Sequence, residues 1–273
     1  MAVTMADISK LRTMTGAGMM DCKNALNEAE GNFDKAIEII RKKGQAIAAK
    51  RSDRQASEGC VLAASNGEFA AVVAIKCETD FVAQNADFIA LTQSILDAAM
   101  ANKVADKEAL LALAIHGRSI ADLITDRSGI TGEKMELGFY EVVNGAATVA
   151  YIHPGNKLAT VVAFNEALDA QVAREVAMQV AAMNPIAANR EEAPAEVVAQ
   201  ELEIGREKAR QGGKPEAILD KIAEGRLGKF YKETVLMEQD FIKDAKVSVQ
   251  GYLKQVSASL TATAFKRVTL NEE

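Results

Sequence analysis

The chain has 273 residues, of which 49% are hydrophobic and 26% are charged, and its 38 Asp and Glu outnumber its 32 Lys and Arg to leave a net charge of −6. These values are typical of a globular protein long enough for two domains. The acidic balance argues against nucleic acid or an anionic membrane as the main partner, and no apolar run approaches the ~20 residues that a membrane helix needs.

Residues 1–52 are expected to form a three-helix N-terminal module with a polar linker at its end. In the second helix Met19 shares a face with Cys22, so its neighbour Met20 is expected nearer the surface. The third helix is expected to end at Gly44 after a run of basic residues. Three short helices bury little apolar surface, so the module is expected to rest on a partner or on the remaining chain.

A first core subdomain is predicted over residues 53–140, beginning with two apolar strands joined by Asn66-Gly67. Asn-Gly is a strong hairpin signal, because both residues of such a turn normally need positive φ. Helices follow the hairpin. Strands then return, with a further hairpin predicted at Asn144-Gly145 and another turn at Pro154-Gly155-Asn156.

The second core subdomain is predicted over residues 141–273 and repeats the order of the first. Each contains a strand, a turn, a strand with Val-Val-Ala (72–74 and 161–163) and a helix. We infer an α+β fold of two related subdomains, each an antiparallel sheet with helices on one face. The sequence leaves open that this order recurs only because hairpin-plus-helix units are common.

An insertion at about residues 188–232 interrupts the second subdomain. It reads as two helices joined by Gly212-Gly213-Lys214-Pro215, with the proline at the start of the second helix. Such a protruding helical hairpin commonly contacts other proteins. The chain then continues with a short helix and a last strand that is expected to rejoin the second sheet.

Signatures of enzyme chemistry are scarce. His116 and His153 are the only histidines, and phosphate-loop, dinucleotide-binding, zinc-protease and serine-hydrolase motifs are missing. The Gly16-Ala17-Gly18 stretch lies between helices, which favours a helix connector over a nucleotide site. We therefore expect no cofactor, no metal and no covalent chemistry.

The cysteines and the first residues bear on location. Cys22, Cys60 and Cys77 are odd in number and widely spaced, which is typical of reduced thiols, and the start has no apolar signal-peptide core. A cytoplasmic location is expected. Two alternatives stay open: an adaptor that binds proteins through its helical module, and a small-molecule enzyme that uses Cys22 or Cys77.

The stretch CETDFVAQN, residues 77–85, joins an apolar strand to a helical pattern. Thr79 or Asp80 can cap the helix, and Phe81 lies seven residues before Phe88, so periodicity favours Phe81 as the first residue of a core stripe. The adjacent Val82 points in another direction. One of the two apolar side chains is therefore expected at an exposed tip, and it stays open whether Phe81 faces the stripe of its own helix or points outward.

Three stretches together resemble the bacterial elongation factor Ts family: LRTMTGAGMMDCKNAL (Leu11–Leu26), ETDFVA (Glu78–Ala83) and GKPEAILDKIAEGRLGKFYKE (213–233). The resemblance extends over nearly the whole chain. It implies a guanine-nucleotide exchange factor for elongation factor Tu that does not bind nucleic acid or membrane directly. It also implies a ubiquitin-associated-like N-terminal module, two related core subdomains and a helical hairpin that can make a homodimer.

The resemblance also implies the functional residues. The loop that enters the partner's GTPase domain near its Mg²⁺ and phosphates would be Thr79, Asp80, Phe81 and Val82. Further contacts with the partner would come from Leu11, Arg12, Met19, Met20 and Lys23 in the N-terminal module, from His153, and from Val235, Leu236 and Met237 after the hairpin.

Overall fold

The computed structural model describes residues 3–271, which fold as two compact units. The first consists of residues 3–61 with Val73–Tyr140, and the second of Leu62–Val72 with Glu141–Asn271. The domain boundaries predicted at residues 52 and 140 stay predictions. No helix in the described part of the chain is both long enough and apolar enough to cross a bilayer.

Helices and strands alternate through the chain in the order that the sequence suggested, with some additions. Up to residue 144 they are α1 (Met5–Thr15), α2 (Met19–Glu28), α3 (Phe33–Lys50), β1 (Glu58–Ser65), β2 (Phe69–Cys77), α4 (Asp80–Ala83), α5 (Ala86–Asn102), α6 (Lys107–Ala112), β3 (Ala114–Ile115), β4 (Arg118–Ser119), α7 (Ile120–Thr131) and β5 (Glu136–Asn144).

The remaining elements belong to the second unit. They are β6 (Ala147–Ile152), β7 (Leu158–Phe164), α8 (Ala170–Met183), α9 (Ala195–Gln211), α10 (Leu219–Thr234), β8 (Asp240–Phe241), β9 (Asp244–Ser248), α11 (Val249–Lys254) and β10 (Ala262–Thr269), with single 3₁₀ turns at Arg190–Glu192 and Glu216–Ile218. The short pairs β3–β4 and β8–β9 have too few residues to give a periodic signal, and the sequence did not predict them.

The N-terminal module packs its three helices around a small apolar cluster that includes Ile8, Leu11, Cys22 and Leu26. The predicted end of the third helix at Gly44 is wrong, because α3 continues without a break to Lys50. Gly44 lies inside this helix, where its Cα comes so close to Gly129 of α7 that no side chain fits on Gly129.

The first sheet has the strand order β1-β2-β5, and its hairpin turn differs from the one predicted. Only Gly67 has positive φ, at 102°. The Asn66 side-chain oxygen accepts a hydrogen bond from the Phe69 N–H at 3.0 Å, and the Asn66 backbone N–H donates to the Phe69 carbonyl at 3.0 Å. The hairpin is therefore present, but its two turn residues are Gly67 and Glu68 rather than Asn66 and Gly67, and such a turn needs positive φ only at its first residue.

The second sheet has the order β10-β7-β6 and is antiparallel throughout. The hairpin predicted at Asn144-Gly145 is wrong, because β5 and β6 belong to different sheets. Gly145 is required for close approach: a Cβ there would lie 2.9 Å from the Phe164 carbonyl oxygen. The predicted turn at residues 154–156 is confirmed between β6 and β7, with positive φ at Gly155 and Asn156.

The two main sheets share one topology. In each, the second strand of a hairpin (β2 or β7) is central, and the third strand (β5 or β10) returns to it only after helices. The last strand rejoins the second sheet as predicted, with Lys266 opposite Val161. Helix α8 packs on the second sheet, where the buried Thr160 hydroxyl donates to the Ala177 carbonyl at 2.9 Å. The fold is thus an α+β pair of related subdomains.

The inserted hairpin consists of α9 and α10, which pack closely against each other. Their closest approach is at Gly205, where a Cβ would lie 3.0 Å from the Ala223 Cα. The turn uses Gly213, with φ of 69°, and Pro215 precedes the second arm. At the base of the hairpin the Leu236 N–H donates to the Ala187 carbonyl at 2.9 Å, which holds the two ends of the insertion together.

Candidate functional site

The segment that joins β2 to α5 contains a separate short helix, α4. Thr79 caps it, because the Thr79 hydroxyl oxygen accepts a hydrogen bond from the Val82 N–H at 3.4 Å. The helix ends at Ala83 with Gln84 as its C-cap, and Asn85 then caps α5 by accepting from the Asp87 N–H at 2.9 Å. Two caps six residues apart break what the sequence presented as one helical start.

This break decides where Phe81 points. The expectation that Phe81 opens the core stripe of α5 is wrong: its side chain is 84% exposed, whereas Phe88 is 1% exposed. The seven-residue spacing has no meaning across the break, since the two phenylalanines lie on different helices. Ala83 is the buried residue of α4, and Val82 is half-buried.

Asp80 stands beside this aromatic ring at the same exposed tip. Among residues 3–271 no hydrogen bond or ion pair engages its carboxylate. The tip therefore presents an unpaired acid and a large apolar ring next to each other, on a helix of only four residues. A Phe this exposed contributes little to the folding core, and its ring stays accessible to another molecule.

The base of the tip is held by hydrogen bonds from a distant part of the chain. The Glu133 carboxylate accepts from the Glu78 N–H at 3.1 Å, from the Thr79 N–H at 3.1 Å and from the Thr79 hydroxyl at 2.6 Å. Glu133 was not predicted. It lies 54 residues after Thr79, and nothing in its local sequence marks a partner at that separation.

The N-terminal module exposes four of the five residues expected to contact a partner. Arg12 and Lys23 are exposed, Met20 is 63% exposed and Met19 is 45% exposed. The inward placement expected for Met19 is therefore wrong. As the first residue of α2, Met19 lies at the end of the buried face of that helix.

Leu11 differs from these four, because its side chain is completely buried in the cluster of the module. A side chain in that position offers no surface to another molecule. Leu11 therefore stabilises the helix that carries Arg12, and we leave it out of the proposed contact surface.

In the second unit, His153 is exposed at the end of β6. Its Nδ1 shares a 3.0 Å hydrogen bond with the Tyr151 hydroxyl, and the Arg174 guanidinium lies 5.2 Å from the centre of the Tyr151 ring. The imidazole is thus oriented by a neighbour while remaining accessible.

The three residues after the hairpin do not provide a surface. Val235 and Leu236 are fully buried and Met237 is 3% exposed. Leu236 and Met237 belong to the main apolar cluster of the second unit, and their N–H groups donate to the carbonyls of Ala187 and Ala188. They fasten the hairpin to the subdomain, which corrects the expectation of direct contact.

The cysteines are all buried. Burial raises the pKa of the Cys60 thiol to about 11, and burial together with the nearby Glu133 raises that of Cys77 to about 12. Thiols in this state are poor nucleophiles at neutral pH, which speaks against an enzyme that uses Cys77. No group of three or more potential metal ligands occurs within residues 3–271.

Comparison with known proteins points to one family. Residues 78–272, which begin just before Thr79, match the family model described as elongation factor TS. The chain is 62% identical to the elongation factor Ts of Porphyromonas gingivalis over 274 residues and 57% identical to that of Azobacteroides pseudotrichonymphae. It is 48% identical to that of Bacteroides fragilis over 330 residues. Each match covers the whole of both chains.

Proposed function

Because the chain belongs to the elongation factor Ts family of translation elongation factors, we propose that it acts as the guanine-nucleotide exchange factor of elongation factor Tu. It promotes release of GDP by inserting the loop Thr79–Val82 near the Mg²⁺ and phosphates of that partner, so that GTP can bind afterwards. The observation that carries the proposal is the 84% exposure of Phe81 on a helix tip fixed at its base.

The physical basis of exchange is linkage between two ligands of one protein. A factor that speeds nucleotide release binds the nucleotide-free partner more tightly than the loaded one, and the nucleotide weakens binding of the factor by the same ratio. Mg²⁺ demands near-ideal octahedral geometry. A side chain that displaces its ligands therefore weakens the nucleotide complex strongly, and no covalent chemistry is needed.

Phe81 suits the role of the displacing group. An aromatic ring has few rotatable bonds, loses little entropy on docking and buries a large area in a pocket. Asp80 stands next to it with a free carboxylate, which we assign to hydrogen bonding with the partner. The pair provides an apolar anchor and a polar contact that fixes its orientation.

Two further surfaces complete the proposed contact. Arg12, Met19, Met20 and Lys23 form an exposed corner of the N-terminal module that combines two flexible thioethers with two cations, and methionine adapts readily to a partner surface. His153, at the end of β6, is assigned to a different part of the same partner. The contact requires neither nucleic acid nor a membrane, and we place it in the cytoplasm.

We also propose that the α9–α10 hairpin makes a homodimer. The two helices pack closely against each other at Gly205 and Ala223. Apolar surface nevertheless remains accessible, because Ile218 is 41% exposed at the turn and three further side chains are only half-buried: Val197, Val198 and Leu202. A second copy of the hairpin would cover this remaining apolar surface.

Release of labelled GDP from elongation factor Tu tests the exchange proposal. Adding the protein at concentrations comparable to its partner should speed release well above the spontaneous rate. Binding to elongation factor Tu with an unchanged release rate would instead identify an adaptor.

A further inference from the structure

The base of the exposed tip is held by one carboxylate from a residue that is distant in sequence, Glu133. Glu133 lies just after α7, and its two carboxylate oxygens accept the N–H groups of Glu78 and Thr79 and the Thr79 hydroxyl. Hydrogen bonds to an ionised acceptor are stronger than those between neutral groups. Three of them converge on the two residues that precede α4.

The backbone of Glu133 is held in place by the turn to which it belongs. Gly132 ends α7 in the left-handed conformation, with φ of 74°. The Ser128 hydroxyl then donates to the Glu133 carbonyl at 2.5 Å, and the Glu133 N–H donates to the Thr131 hydroxyl oxygen at 3.3 Å. The backbone of Glu133 is fixed on both sides, so the carboxylate projects from a rigid support.

The bracing is reciprocal. The Glu78 carboxylate accepts from the Lys134 N–H at 2.6 Å and lies 3.3 Å from the Arg51 guanidinium. Each of the two chain segments therefore supplies a carboxylate that accepts backbone N–H groups of the other. A rotation of the loop about its base would break hydrogen bonds in both directions.

We propose that Glu133 is a positioning residue that holds the Thr79–Val82 loop in the conformation that docks. The Thr79 hydroxyl donates to Glu133 and accepts from the Val82 N–H, so the carboxylate fixes the direction of the hydroxyl that starts α4. The orientation of Phe81 follows from that of α4. The inference rests on the proposed exchange function. Its physical reason is that a loop already ordered in the free protein loses less conformational entropy when it binds the partner.

Three substitutions of Glu133 separate the effect of side-chain length from the effect of the negative charge. Glu133→Ala removes the acceptor, and Glu133→Asp keeps the charge but withdraws it by one methylene. Glu133→Gln keeps the length: its carbonyl oxygen can accept both N–H groups while its amide donates to the Thr79 hydroxyl. Glu136→Ala is the matched control, since within residues 3–271 Glu136 forms ion pairs with Lys76 and Lys134 and is partly exposed.

Two readouts are required. The first is hydrogen exchange of the Glu78 and Thr79 amides in the free protein, which should be protected in the wild type and Glu133→Gln and faster in the Ala and Asp variants. The second is GDP release as a function of factor concentration. The Ala and Asp variants should need about tenfold more protein for half-maximal stimulation, measured at a temperature at which every variant is folded.

The outcomes distinguish the inference from the function that it serves. If the wild type does not stimulate GDP release, the exchange proposal fails and the role of Glu133 in it fails too. If the wild type stimulates and folded Ala and Asp variants match it, only the inference fails. A loss in Glu136→Ala as large as in Glu133→Ala, or no recovery in Glu133→Gln, would likewise overturn it.

Discussion

Phe81 and Phe88 are only seven residues apart, but one is exposed to solvent and the other is buried in the core. Phe88 is 1% exposed and packs in the first unit, whereas Phe81 is 84% exposed on its own short helix. What separates them is local: the caps at Thr79 and Asn85 start two helices in place of one. A capping side chain thus determines whether an aromatic ring stabilises the fold or is free for another molecule.

Alanine substitutions at the two positions should therefore differ in stability. Phe88→Ala removes a fully buried ring and should lower the free energy of unfolding by about 3–5 kcal/mol. Phe81→Ala removes an exposed ring and should change it by less than about 0.5 kcal/mol. Denaturant unfolding of the two variants measures both, and a large loss in Phe81→Ala would return this ring to the core.

Glu175 makes stability depend on pH in a stated direction. Its pKa is lowered to about 2, first by the hydrogen bond from the Lys243 ammonium and then by those from the Tyr252 hydroxyl and the Gln171 amide. A carboxyl with a lowered pKa in the folded state stabilises the fold above its unfolded pKa, and this contribution is lost as pH falls toward the folded value.

The wild type should therefore exceed Glu175→Gln in stability at pH 7, and the difference should shrink as pH falls from about 5 toward 2. Unfolding of both proteins by urea across this range measures it. A difference that stays constant over the same interval would show that the ionised carboxylate is not the stabilising group.

At the scale of elements, α3 and α7 contact each other through Gly44 and Gly129, which differ in the space available for a side chain. A Cβ on Gly44 would lie 3.5 Å from the Gly129 Cα, an ordinary contact. A Cβ on Gly129 would overlap the Gly44 backbone, with 2.9 Å to its carbonyl carbon. Backbone cannot rotate away as a side chain can, so the helices would have to separate.

We therefore expect Gly129→Ala to lower the free energy of unfolding by about 1–3 kcal/mol. Gly44→Ala should be neutral or stabilising by up to about 1 kcal/mol, because alanine favours a helix interior over glycine. Thermal unfolding of the matched pair tests the contact. Equal effects of the two substitutions would contradict it.

Elements that carry their own periodic signal were predictable, and those that depend on distant partners were not. The stripes of α2 and α5, the first hairpin and the presence of a strand at β10 follow from local spacing and turn residues. The crossover at Gly145, the extension of α3 past Gly44 and the Glu133 hydrogen bonds each depend on residues far away in the sequence. The motif predicts a candidate tip at residues 79–82, but the sequence did not predict the hydrogen bonds at the base of that tip.

At the scale of the whole molecule, one topology occurs twice and an insertion is added to the second copy. The ends of the insertion are close together, since Val235 bridges to Ala187. The hairpin can thus be removed without stretching the subdomain that carries it. This makes its proposed role in self-association separable from the proposed exchange activity.

Replacing residues 192–230 with a short Gly/Ser linker should reduce the mass in solution from that of a dimer to that of a monomer. Both proteins should keep cooperative thermal unfolding, because the apolar cluster of the second unit includes none of the replaced residues. Light scattering gives the mass. A monomeric mass before and after the replacement would rule out the proposed dimer.

Phe81 at the exposed tip is proposed to drive nucleotide release from elongation factor Tu. The most direct test compares the rate of labelled GDP release with wild type and with Phe81→Ala at equal concentration. The wild type should accelerate release, and the folded Phe81→Ala variant should lose at least about tenfold of that acceleration, as expected for a central aromatic anchor. Full acceleration by Phe81→Ala would contradict the account.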